Sequence, residues 1–162
     1  MVPTPMMEEI MTQAEPRITI AEFEQLAADK LPLVTYFGIR AETIEAGRVV
    51  MRLPSHDDHL RPGGTVSGPV MVALADVAVY ALVLGLVGPV ELAVTTNLTA
   101  NFLRLPRAVD LIAEGIFDRM VAWQNRQVID VPIADAIAEF RAVDVDGALV
   151  RTARGLGICL GD

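Results

Sequence analysis

Residues 61–86, RPGGTVSGPVMVALADVAVYALVLGL, hold one charged side chain after the opening arginine, the carboxylate of Asp76. A carboxylate among Val, Ala, Leu and Tyr is expensive to bury unless donors or a wet cleft hold it, and burial raises its pKa. The residues leave two readings open. Asp76 is either a structural aspartate satisfied by a neighbouring Ser, Thr or backbone N–H, or a general base or nucleophile. Seven residues earlier, Pro69 suits the first position of a helix, with Ser67 and Gly68 just before it. The free N–H groups of that first turn, helped by the helix dipole, can hold a carbonyl oxygen on which negative charge develops. Pro69 has no N–H, so Gly68 is the natural donor and Ser67 reads as the capping residue.

Other constellations carry less. His56-Asp57-Asp58-His59 offers two imidazoles and two acids, but four adjacent polar residues in a loop read first as a solvated turn, so no metal is expected. Ser55-His56-Asp57 is not a relay, because sequence adjacency does not supply the spatial arrangement of a triad. GGTVSG lacks the lysine and the preceding strand of a phosphate-binding loop. Thr95, Thr96 and Asn97 form a polar island that either reflects the β-propensity of Thr or sets a hydroxyl to orient a water.

Composition narrows the classes further. The 162 residues carry 13 Lys and Arg against 21 Asp and Glu, a net charge of −8, and 52% are hydrophobic. That balance fits a folded acidic protein and opposes nucleic-acid binding, which needs a basic face. Arg104, Arg107, Arg119 and Arg126 still allow a local patch for an anionic group. One cysteine, Cys159, leaves no intrachain disulfide and suits a reduced cytoplasm. Residues 1–17 read as a loosely ordered leader without the basic and apolar regions of a signal peptide. The apolar run from Pro69 is interrupted by Asp76, Gly85, Gly88 and Pro89, so it reads as a core helix rather than a membrane span of about twenty residues.

The elements follow from periodicity and punctuation. Thr19 three residues before Glu22 forms a capping-box pattern ahead of Ile20, Phe23, Leu26 and Ala27, which predicts a helix ending near Lys30. Ile39–Glu45 and Arg48–Leu53 read as strands turned at Ala46-Gly47. A Pro-, Gly- and Asp-rich loop precedes the apolar helix, which runs to about Val87 before Gly88-Pro89. Strands are expected at Ala93–Leu103, within VDLIAEGIFDRM and AWQNRQVIDVPIA, and in ALVRTARGLGICL, while IADAIAEFRAV fits a strand or a helical turn. A helix apolar on all sides needs cover on all sides. A curved antiparallel sheet supplies part of it and a second copy of the chain the rest, which gives an α+β layer and a dimer.

GGTVSGPVMVALADVAVYA followed by LAVTTNLTANFLRLPRA resembles the hotdog-fold thioesterases of the phenylacetate-degradation type, from about Leu33 to Cys159. The resemblance implies a long central helix wrapped by a curved antiparallel sheet in a domain of residues 18–162. It also implies homodimers or dimers of dimers with sites at the dimer interface, and acyl-CoA hydrolysis with no cofactor beyond the CoA of the substrate. Asp76 matches the catalytic carboxylate, Gly68 the oxyanion glycine, and Thr95 a position that helps place water. The pattern departs at Ser67, where many members have histidine, and at Arg61, where they have asparagine. The segment between Glu114 and Gly147 is longer than usual. In this reading Ser67, Thr95 and Arg61 position water or substrate, the acyl chain lies along Val72, Tyr80 and Leu84, and Arg104 and Arg107 meet the phosphates. The alternatives are a hotdog protein that binds acyl-CoA or a small apolar ligand without turnover, and, more weakly, a dehydratase. Neither nucleic acid nor a membrane is an expected partner.

Overall fold

A reciprocal pair of hydrogen bonds starts the first helix: the Thr19 hydroxyl accepts the Glu22 N–H at 3.2 Å, and the Glu22 carboxylate accepts the Thr19 N–H at 2.8 Å. Helix α1 (Ile20–Lys30) follows, as the capping box predicts. In the computed structural model, residues 15–89, 93–103, 105–123, 133–144 and 149–159 are described. The expected leader therefore lies almost wholly outside them. A second short helix, α2 (Pro32–Phe37), was not anticipated. Its signals are present in the chain: Pro32 at the first turn, and Gly38 at the end with φ +65°, a left-handed conformation that glycine adopts without Cβ strain.

Strands β1 (Arg40–Glu45) and β2 (Arg48–Leu53) form the expected hairpin. The polar loop after it contains a 3₁₀ turn (Asp57–His59) and a two-stranded ribbon, β3 (Leu60–Arg61) with β4 (Thr65–Val66). Helix α3 (Gly68–Val87) then runs through the centre, followed by β5 (Val94–Phe102), β6 (Leu111–Trp123), β7 (Ile133–Asp144) and β8 (Leu149–Cys159). The stretch that fitted either a strand or a helical turn is β7. Of AWQNRQVIDVPIA, the first two residues end β6, the last two begin β7, and 124–132 lie outside the described residues.

The main sheet is antiparallel in the order β1-β2-β6-β7-β8-β5. Helix α3 packs across it, and Leu74, Ala78, Leu82 and Leu84 are sealed against Val49, Met51, Leu53 and Leu111. Each such buried leucine contributes about 1.5–3 kcal/mol relative to exposure. Helix α3 is long and apolar enough to cross a membrane by length and composition, and two thirds of its apolar window is buried against this protein. The expected α+β architecture, a long helix held against an antiparallel sheet, is the one observed.

Two features fix how the helix sits. Gly85 lies where a Cβ would be 3.2 Å from the Glu45 carbonyl oxygen and 3.3 Å from Ile44, so the absence of a side chain lets α3 approach the backbone of β1. Its own carbonyl accepts the Arg17 N–H at 2.9 Å. At the other end, Asp110 accepts the Ser55 N–H at 2.8 Å and the Arg52 guanidinium at 3.0 Å, tying the polar loop to β2 and to the start of β6. The Ser55 N–H, then Arg52, hold the Asp110 carboxyl below its ordinary range.

Replacing Gly85 by valine forces the helix away from β1. A loss of about 1–3 kcal/mol is expected, read as a lower urea midpoint at unchanged slope. An unchanged midpoint would show that the close approach is not a constraint.

Candidate active site

Helix α3 is buried around most of its circumference, with one stripe open. Pro69 is exposed, Val72 and Ala73 are half-buried, Asp76 is exposed and Tyr80 is half-buried. These positions recur three or four residues apart and so share one face. The expectation of a buried carboxylate is corrected: Asp76 is the exposed charge on that stripe. It makes no hydrogen bond or ion pair with any described residue. The structural reading, in which a Ser, Thr or N–H satisfies it, therefore finds no donor within the described chain.

Asp76 borders an open cavity of about 480 Å³ lined by Leu31, Val34, Val77, Tyr80, Val94 and Thr95, among others. Thr95, half-buried on the strand that follows the helix, lines the same cavity. The side chain of Thr96 is not described, and Asn97 faces solvent.

The helix start borders a different cavity. Arg61, Val66, Gly68, Met71, Phe102, Leu105 and Pro106 enclose about 400 Å³. Gly68 is the first residue of α3, and no described residue accepts its N–H. A Cβ there would lie 3.3 Å from the Phe102 ring, so glycine keeps the donor's surroundings open. Ser67 has the extended backbone of a capping residue, but its side chain makes no capping hydrogen bond. The expected cap is corrected accordingly: the Ser67 hydroxyl is left for other partners, and its backbone does the tethering. Its N–H donates to the His59 carbonyl at 2.8 Å, and its carbonyl accepts the Met71 N–H at 3.2 Å. Arg61 is exposed and donates from Nε to the Thr65 hydroxyl at 3.0 Å, which orients its guanidinium along the rim of the Gly68 cavity.

Gly68 and Asp76 are eight residues apart on one helix, which at the α-helical rise places them about 12 Å apart and a little over two turns round. One copy of the chain therefore does not bring the donor and the carboxylate together on one carbonyl.

The remaining expected residues divide. Val72 and Tyr80 flank Asp76 one turn away on the open stripe. Leu84 is fully buried in the core and cannot line an acyl tunnel, which corrects that expectation. Arg107 is exposed after β5 and engaged by another residue, and Arg104 lies outside the described residues. No group of three or more His, Cys, Asp or Glu able to hold a metal occurs among the described residues. Within the polar tetrad His59 is buried, at 4% exposure, while His56, Asp57 and Asp58 are exposed. A polar tetrad gives no periodicity that would single out one member.

Residues 63–119 match the model of a protein family described as the thioesterase superfamily. A thioesterase-type protein of Silicibacter sp. TM1040 is 32% identical over 89% of this chain and 94% of its own, with a TM-score of 0.69. The PaaI protein from the phenylacetic acid degradation operon of E. coli is 18% identical over 88% of this chain and 94% of its own, with a TM-score of 0.70, which shows the shared fold. A different likeness is short and high: 55 residues, 34% of the chain, are 69% identical to ATP-dependent 6-phosphofructokinase 1 of Synechocystis sp.. The chain spans about 15% of the length of the curated relatives it matches. A shared piece of that size sits at the lower end of domain sizes. The residues gave no hint of this second likeness.

An exposed carboxylate without partners contributes little to folding. Asp76→Asn is expected to change unfolding stability by no more than about 0.5 kcal/mol. A loss several times larger in thermal or urea unfolding would restore the structural reading of Asp76.

Proposed function

The chain belongs to the thioesterase superfamily, and from that premise we propose that it hydrolyses acyl-CoA thioesters to the free acid and CoA. The observation that carries this reading is the pair of incomplete half-sites: a helix-terminal N–H without an acceptor, and, two turns on, an exposed carboxylate on a cavity that a threonine also lines. A second copy related by a two-fold axis supplies the missing half to each. An isologous contact brings the Gly68 of one subunit to the Asp76 of the other and generates two sites at once.

The surface left open supports a homodimer, free to pair again into a tetramer. The α3 stripe is mainly apolar, and β5 is an edge strand that ends in exposed Phe102, with exposed Val94 at its start and Leu103 and Leu105 beyond. Exposed apolar surface and an unpaired edge of this kind ask for a partner.

In the assembled site the thioester carbonyl accepts the Gly68 N–H, and the helix dipole favours the charge that grows on its oxygen. Asp76 takes a proton from a water that attacks the carbonyl carbon. The carbon–sulfur bond then breaks, and the proton passes to the departing thiolate. Attack by the carboxylate itself, followed by hydrolysis of the anhydride, gives the same products. Thr95 holds the water from beside Asp76, and Ser67 offers a hydroxyl at the Gly68 end. Arg61 reaches the carbonyl or the near phosphate, Arg104 and Arg107 the remaining phosphates, and the acyl chain lies along Val72 and Tyr80. No cofactor takes part beyond the CoA of the substrate.

Hydrolysis of short, medium and aromatic acyl-CoAs tests this. Asp76→Asn is expected to lower kcat/KM by about 100-fold or more, and Gly68→Pro, which removes the N–H, by about 100- to 1,000-fold. Co-expressing the two inactive variants restores one intact site per mixed dimer, roughly a quarter of wild-type activity in a random mixture. Equal turnover by wild type and Asp76→Asn would discard the mechanism, and failure of the mixture to recover would discard the shared site.

A further inference from the structure

The 3₁₀ turn ahead of α3 holds the one buried polar side chain among the described residues, that of His59. Its ring meets the Phe37 ring edge-on at 5.6 Å between centroids and the His56 ring at 5.6 Å, with the Pro54 carbonyl nearby. Both backbone groups are also engaged. The His59 N–H donates to the His56 carbonyl at 3.0 Å, and its carbonyl accepts the N–H of Ser67 at 2.8 Å. The bond from Ser67 to the His59 carbonyl fixes the peptide plane just before the one that carries the Gly68 N–H, and that next plane is held by its own Ser67 carbonyl accepting the Met71 N–H at 3.2 Å.

We propose that His59 is a positioning residue for the oxyanion donor: its packed imidazole fixes the turn whose carbonyl holds Ser67 and thereby aims the Gly68 N–H. The proposal rests on the hydrolytic reading above and deepens it. His59 touches no reacting atom and acts through the backbone of the helix start.

The electrostatics tie this aim to pH. The His59 Nδ1 is buried and has no hydrogen-bond partner. In the neutral ring it is an unsatisfied acceptor, a moderate penalty; in the protonated ring it becomes a buried donor on a buried charge, a larger one. The ionisable neighbours do not remove that penalty. On its own turn, Asp58 is exposed and is the weakest of the influences on His59, its N–H donating to the His56 Nδ1 at 3.1 Å. Asp57 is exposed. Tyr36 on α2, and Arg40 on β1, share the small cavity of about 240 Å³ outside the ring. Arg61 on β3 is bonded to Thr65, and the first turn of α3 brings no charge. Burial, the strongest influence, pulls the His59 pKa below its ordinary 6.5; His56 acts in the same direction, against the Pro54 carbonyl and Asp58.

The sign follows. Well above pH 6.5 the ring is neutral in folded and unfolded chains alike. As pH falls through 6.5 the unfolded chain takes the proton first, and the turn loses stability until the folded-state pKa is passed. Asp110, which ties the same loop to β2, is held below its ordinary carboxylate range by the Ser55 N–H and Arg52.

The test follows the imidazole of His59 and the backbone amides of Ser67 and Gly68 by NMR between pH 4.5 and 8 on the full chain, alongside kcat and KM for the best acyl-CoA substrate. The expected result is one shared midpoint below 6.5 for the ring and both amides, and a kcat that falls with that midpoint. His59→Phe is expected to abolish the midpoint in the amides and to lower kcat at least tenfold with KM within twofold. His59→Gln, whose amide can donate to the Pro54 carbonyl without titrating, is expected to recover much of kcat with a flat profile over this range, and it serves as the reference if the Phe variant does not fold. Ser67 and Gly68 amides that ignore the His59 titration would overturn the proposal, as would a Gln variant that keeps the wild-type pH profile. A shared midpoint in a chain that turns over no acyl-CoA would support the positioning role and refute the hydrolytic reading, so the two fail separately.

Discussion

A helix with almost no polar face has to be covered, and that requirement organises the structure. Helix α3 offers apolar side chains on every side, and the residues facing β2 and β6 are sealed from water. One antiparallel sheet has only one face to give. The cover is therefore incomplete, and the uncovered strip is the one that contains Asp76. The odd carboxylate and the missing part of the cover are two views of the same stripe: the charge sits where the protomer's own core does not reach.

The same geometry keeps Gly68 and Asp76 apart although they lie on one helix. A straight helix separates residues 68 and 76 by more than the reach of a single carbonyl, and the observed cavities around them are separate. Length along the helix acts as a spacer. In the proposed two-fold pair, that spacing would combine a backbone donor with a carboxylate at each of two places.

The polar loop before the helix is more ordered than its composition indicates. Asp110 holds its beginning, the His59 ring packs beneath its middle, and the Arg61–Thr65 hydrogen bond closes its end. The Asp110 anchor joins residues distant in sequence, and the His59 anchor buries a side chain that local pattern assigns to solvent. The loop thereby becomes a rigid approach to the helix start, as a backbone N–H needs if it is to point in one direction.

The residues by themselves determined the capping box at Thr19, the hairpin around Gly47, the limits of the long helix and the alternation of β5, because each is a local pattern of a few neighbouring side chains. They also singled out Gly68 and Asp76, by a proline-set helix start and a lone charge in an apolar run. The short helix Pro32–Phe37 was legible in its proline and glycine, and was passed over because six residues carry too little periodicity. Tertiary structure decided what depends on partners far along the chain. It placed Asp76 in solvent on the cavity that Thr95 lines, set Leu84 in the core rather than along a tunnel, and put one of two neighbouring histidines inside and the other out. Burial is a property of what packs against a side chain, and no local spacing encodes which strand will arrive there.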